Sequence, residues 1–278
     1  MRPARDRCWV AWGRAGERRP EPSYFRTRPE AEGFIRELLS GEPGAALVGF
    51  DFAFGYPADA RLPGGRALCA RLAGLIRDEP GGANNRFEVA GTLNREIQAA
   101  LGGGFDGPFW GHPSGHAYSN LSPKRPRPFP SRIPNGRLVE RRLGSRGIQS
   151  PWKLFTQGAV GSQTLLGLPA VYRLLTDPAF ATRARLWPFE IAWDRSVGED
   201  AIVIAEIWPS LVDCTRQPYP IKDQRQVAAV RDWALDDPTA LAAALARPTD
   251  LTDEEDRTCR EREGWILGGG QVLHSGNV

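Results

Sequence analysis

Two short apolar runs, far apart in the chain, constrain the fold more than any other feature. They are AALVGFDFAFGYP at residues 45–57 and AIVIAEIWP at residues 201–209. Each is apolar on both faces, as a strand inside a parallel or mixed sheet must be when helices cover the sheet above and below. An acid interrupts each run near its end, with an aromatic residue and a proline following: Asp51 ahead of Tyr56-Pro57, and Glu206 ahead of Trp208-Pro209. The matching endings put both acids at the carboxyl ends of buried strands.

The remaining elements group around these two. CWVAW (8–12) and PSYFRT (22–27) read as the strands of a hairpin. Thr27 and Glu30 form a capping box, and Ala31, Phe34, Ile35, Leu38 and Leu39 recur at helical spacing, so the spacing predicts an amphipathic helix over 28–40. Further helices are expected around Ala67–Ile76, from Ser162 onward, and over KDQRQVAAVRDWAL at 222–235; LWPFEIAW (186–193) reads as a strand. Residues 102–150 are rich in Gly and Pro, and a loop stretch that long inside a compact domain is functional or mobile. It is read as part of an insertion, about 58–180, that covers one end of the sheet. A chain of 278 residues, 41% hydrophobic, can bury one sizeable core, so the expectation is a single α/β domain over 1–278.

In open α/β sheets, ligands bind outside the carboxyl ends of the strands, where Asp51 and Glu206 both point. A buried carboxylate is costly unless it is paired, hydrogen-bonded or metal-bound. Either acid alone also reads as a helix cap or as a partner of one of the many arginines. Asp223 makes a third: Gln226, Val227 and Val230 follow it at i+3, i+4 and i+7, which places it on the core-facing stripe in the first turn of its helix. Three converging carboxylates suit Mg²⁺ or Mn²⁺, and two such ions would clamp the oxygens of a phosphodiester displacement.

The chain has 33 arginines and three lysines, which discounts arginine clusters as a sign of nucleic-acid binding and gives the lysines weight. Lys222 beside Asp223 is read as catalytic, and Lys153 as a phosphate-neutralising group. Lys153 opens a polar turn with Gln157, Ser162 and Gln163, in which Ser162 is an expected N-cap beside an anion site. The same turn reads equally as a tight Gly-permitted loop packed under the insertion. Asn85 and Arg86 are further candidates for the cleft. Residues 124–146, with Lys124 and seven arginines ending at Arg146 against Glu140 alone, can track a phosphate backbone or form a solvated loop. Trp110, Trp152 and Trp208 are candidates to stack on bases, or pack in the core. His112 and His116 have metal-pair spacing, but Pro113 and Gly115 argue against the helix such a pair needs. With three histidines in all, a Ser–His–Asp hydrolase is not expected.

The order of elements resembles the ribonuclease H-like fold. GFDFAFGYP, SPWKLFTQGAVGSQTLLGLP, WPFE, AEIWPS, KDQRQV and EGWILG are similar to a family of uncharacterised bacterial proteins held to be ribonuclease H-like nucleases. The resemblance implies a mixed sheet flanked by helices, and metal-dependent phosphodiester hydrolysis of nucleic acid with Asp51, Glu206 and Asp223 as ligands. It also implies a first strand bearing another metal-binding Asp. This sequence starts at what matches the second strand, and Asp6, between Arg5 and Arg7, is no replacement. That leaves either an upstream start or a catalytically degenerate chain able to hold one ion at best. Family members also carry cobalamin or molybdopterin labels, which implies a second reading, an enzyme or accessory protein for a small phosphorylated or nucleotide-like molecule; a third is a non-catalytic binding protein.

Nothing in the sequence spans a membrane, since no run of 18 apolar residues occurs. The basic N-terminus has no apolar stretch behind it, which argues against a secretory signal peptide, and the four scattered cysteines read as reduced thiols of a cytoplasmic protein.

Overall fold

A computed structural model describes residues 8–41, 44–79, 83–144, 147–191, 193, 198 and 200–270. Strands β1 (Cys8–Val10) and β2 (Ser23–Phe25) form an antiparallel hairpin, with Trp9 opposite Tyr24. Helix α1 (Arg28–Ser40) follows, its first turn capped by the Thr27 hydroxyl accepting the Glu30 amide at 3.4 Å. Strand β3 (Ala46–Phe50) leads through α2 (Gly65–Leu75), α3 (Arg86–Ala100), the short α4 (Leu138–Leu143) and α5 (Val160–Thr176) to β4 (Ala184–Leu186) and β5 (Ile202–Glu206). Helices α6 (Lys222–Asp236), α7 (Pro238–Leu245) and α8 (Asp253–Thr258) follow, α8 running on into a π-helical turn at Cys259–Glu263.

The architecture is mixed α/β. A three-stranded parallel sheet in the order β3-β5-β4 stands apart from the β1-β2 hairpin among the described residues. Strand β5 is central and buried along its whole length. Its side chains alternate between two cores: Ile202 and Ile204 face one with α2, α3 and α5, while Val203 and Ala205 face the other with α6 and α7. Strand β3 follows the same alternation, Val48 and Phe50 toward the first core and Leu47 toward the second, but most of its residues are only half buried.

Several expectations need correction. Among the described residues, β3 lies at an edge of its sheet and β5 takes the central place. The strand read at LWPFEIAW lies earlier, at Ala184–Leu186; Trp187 makes the last ladder bond to the Ile204 carbonyl at 2.9 Å, and Pro188, with no N–H to donate, ends it. Helix α5 starts two residues before Ser162, with Ala159 as its N-cap. The insertion is partly core: Phe109, Trp152 and Leu154 are fully buried. Trp110 is fixed between neighbours by its amide to the Trp152 carbonyl at 3.1 Å and by the Leu154 amide to its own carbonyl at 2.9 Å. Among the described residues, no helix is long and apolar enough to cross a membrane.

Candidate functional site

The parallel register sets Phe50 opposite Glu206, so Asp51, one residue on, and Glu206 lie at the same carboxyl end of adjacent strands. Phe50, Phe52 and Phe54 form an aromatic ladder with ring centroids 5.4 and 5.7 Å apart and pack into the first core. Asp51, between the first two rings, is more than a third exposed. Its carboxyl makes no hydrogen bond or ion pair among the described residues. Crowding by surrounding protein, then the charges of Glu206 and Asp223, push it up to about 7. Protein surrounds the group on most sides while solvent still reaches it, so the crowding is real but screened.

Glu206 has a different setting. It is buried, and both its oxygens are engaged: Arg137 donates to Oε1 at 2.5 Å and to Oε2 at 2.7 Å, and the Phe54 amide donates to Oε2 at 2.9 Å. Arg137 is fully buried and also binds Glu140. Burial works against the guanidinium charge, but Glu140 and Glu206 more than offset it and hold Arg137 well above its ordinary value. Burial raises the Glu206 carboxyl, and Arg137, whose charge is shared with Glu140, pulls it only part of the way back. Glu263 joins the network from the far side, its oxygens accepting the Ala58 amide at 2.8 Å and the Leu138 amide at 2.5 Å. Arg137 was legible only as one more arginine of a basic stretch; no signal pointed to Glu263.

Asp223 is exposed, not on the core-facing stripe. Helix α6 buries Ala228, Ala229 and Trp233, so the large Trp233 sets the inward face and Asp223 falls to its flank. Its charge still acts on Asp51. Lys222, the first residue of α6, is exposed and has no hydrogen-bond or ion-pair partner among the described residues. The structure therefore gathers Asp51, Glu206 and Asp223 within electrostatic reach, but leaves only Asp51 and Asp223 with free oxygens. No group of three or more His, Cys, Asp or Glu side chains is arranged to hold a metal ion among the described residues.

The other candidates are mostly tied into local structure. Lys153 Nζ donates to the Gln157 carbonyl at 2.6 Å and closes its own turn. The Ser162 hydroxyl donates to the Leu154 carbonyl at 2.5 Å and caps nothing; Gln163 is exposed on the first turn of α5. Asn85 joins α2 to α3, accepting the Arg77 amide at 2.7 Å and donating to the Leu75 carbonyl at 2.9 Å. Arg86 donates to Asn84 Oδ1 at 2.8 Å. Of the basic stretch, Arg142 pairs with Asp250 and Glu255, while Arg146 lies outside the described residues, as does Asp6. Trp152 is fully buried, its indole N–H held by the Pro134 carbonyl at 3.0 Å. The chain matches no family description, no curated protein and no solved structure.

Proposed function

We propose that the chain is a metal-dependent phosphodiester hydrolase built on a ribonuclease H-like plan. The observation that carries this reading is Asp51: a solvent-reached carboxylate with no counter-ion among the described residues, at the carboxyl end of a parallel strand, under the charge of two further acids. Such a group favours a cation. The order hairpin, helix, parallel strand, helical crossover, two parallel strands, helix supports the fold part of the reading.

The donor set fits one Mg²⁺ or Mn²⁺, not two. Asp51 and Asp223 would hold it; Glu206 would not, because Arg137 and the Phe54 amide occupy its oxygens. Mg²⁺ is commonly held by one or two carboxylates with water and substrate phosphate completing the shell, so two acids suffice. The ion would neutralise phosphoryl charge and polarise the bond to be broken. The chain's own residues supply the rest. Glu206 and Arg137 fix the backbone at Phe54, three residues after Asp51, and so position the end of β3. Lys222 presents an ammonium next to Asp223 for a phosphate oxygen. An alternative in which the insertion closes over a small phosphorylated molecule is less favoured, because Phe109, Trp152 and Leu154 root that insertion in the core.

The test is cleavage of labelled DNA and RNA in Mn²⁺ and Mg²⁺ by the full chain and by Asp51→Asn and Asp223→Asn. Metal-dependent cleavage lost in both variants supports the reading. No cleavage by the parent chain, or cleavage that survives Asp51→Asn, removes it.

A further inference from the structure

Three stretches that the acid site leaves unused meet on one surface. They are Asn84–Phe87 at the start of α3, His112–Tyr118 in the insertion, and the turn that carries Phe155 ahead of α5. Tyr118 is the hub: its ring centroid lies 5.1 Å from Phe87, 5.1 Å from His112 and 6.2 Å from His116, the last stacked nearly parallel at 8°. Phe155 lies 6.5 Å from Phe87 and is 37% exposed, an unusual position for a large apolar ring in this chain. Arg86 holds its guanidinium 4.3 Å over the Phe87 ring.

The platform is rigidly built. Gly111 donates its amide to the Ser122 carbonyl at 2.8 Å, and Leu154 donates to Trp110, so the three stretches 110–112, 122–124 and 152–155 run side by side. Lys153 Nζ pins the Gln157 carbonyl. Thr156, β-branched and next to Phe155, sits at φ 73°, a left-handed conformation that costs such a residue free energy and persists only where the surroundings impose it. The rim is cationic: Lys124 and Arg125 leave the strip beyond Ser122 and are exposed.

Exposed aromatic rings near cationic side chains suit a ligand with flat rings and negative charge. Bases in a duplex already stack on one another, whereas single-stranded bases are free to stack on protein rings. We infer that this surface binds single-stranded nucleic acid, with His116–Tyr118 and Phe155 as stacking faces and Arg86 and Lys124 toward the phosphates. This deepens the hydrolase reading by naming its substrate class, and rests on that reading only for the cleavage step.

The experiment is fluorescence anisotropy of short labelled oligothymidine and oligouridine, and of a duplex of equal length, with the full chain in EDTA. The single strands should bind more tightly than the duplex. Phe155→Ala and His116→Ala should each weaken them roughly tenfold. Phe155→Tyr, which keeps the ring, should bind like the parent, and thermal midpoints equal to the parent's show that each variant is folded. Equal affinity for duplex, unchanged binding by folded Phe155→Ala, or a nucleoside monophosphate that competes as well as the oligomer would overturn the inference. Because EDTA removes the metal, binding that depends on Phe155 without Mn²⁺-dependent cleavage refutes the acid site alone. Cleavage indifferent to Phe155→Ala refutes the platform alone.

Discussion

Asp51 and Glu206 end adjacent strands, yet their chemistry diverges, and substitution should separate them. A carboxyl raised above its unfolded value of 3.8 binds its proton more tightly in the native state, so its contribution to stability falls as pH rises from about 4 through about 7. Solvent screening of this exposed group reduces the effect to about 1 kcal/mol. Asp51→Asn should therefore leave the urea midpoint unchanged at pH 4 and raise stability by that amount at pH 8; an equal effect at both pH values would refute the like-charge account. Glu206 should behave oppositely. Removing one partner of a buried ion pair strands the other, so Glu206→Ala is expected to cost about 3–5 kcal/mol, read by chemical denaturation. Mg²⁺ should raise the thermal midpoint of Glu206→Gln as much as that of the parent, and that of Asp51→Asn not at all. A sequence can show an acid at the end of an apolar run. It does not show whether an arginine 69 positions away, Arg137, has taken both of its oxygens.

Among elements, those with strong local signals were legible. The predicted helix over 28–40 is α1 itself, and the two apolar runs contain β3 and β5. Helix α6 starts at its predicted residue, but it turns a different face inward from the one its spacing predicts, because Trp233 outweighs Val227 and Val230 in apolar area. Helices α3, α4, α7 and α8 lie outside the helices that the sequence pattern predicts. Asn84-Asn85 reads as a turn, but Asn84 bridges to Asp78 and α3 opens directly at Arg86; α7 is alanine-rich, and α8 is nearly all charged. Helix α3 also shows why local propensity is a weak guide. Alanine normally stabilises a helix interior over glycine by about 1 kcal/mol. At Gly91 an added Cβ would collide with the backbone carbonyl of Ser119, next to the Tyr118 platform, and backbone cannot rotate away. Overpacking costs about 1–3 kcal/mol, so Gly91→Ala should lower the denaturation midpoint despite its better propensity. A rise in the midpoint would show that the 112–120 stretch yields easily.

At the scale of the molecule, the two cores meet across β3 and β5, and the two strands are held unequally. Strand β5 is paired on both edges and buried on both faces, whereas β3 is half buried and, among the described residues, paired on one edge. Hydrogen exchange should reflect this: amides of Ile202–Glu206 should open only with global unfolding, and those of Ala46–Phe50 several orders of magnitude sooner. Comparable protection in both strands would mean that β3's outer edge is covered in solution. That edge has a further consequence. Five residues without a charge or proline carry outward backbone groups that no strand pairs among the described residues, and an arriving extended chain can pair with them. A stock of this protein should therefore keep a record of its handling. Samples held concentrated should accumulate slowly reversible oligomers that freshly diluted samples lack, so two preparations of identical sequence will differ by their age.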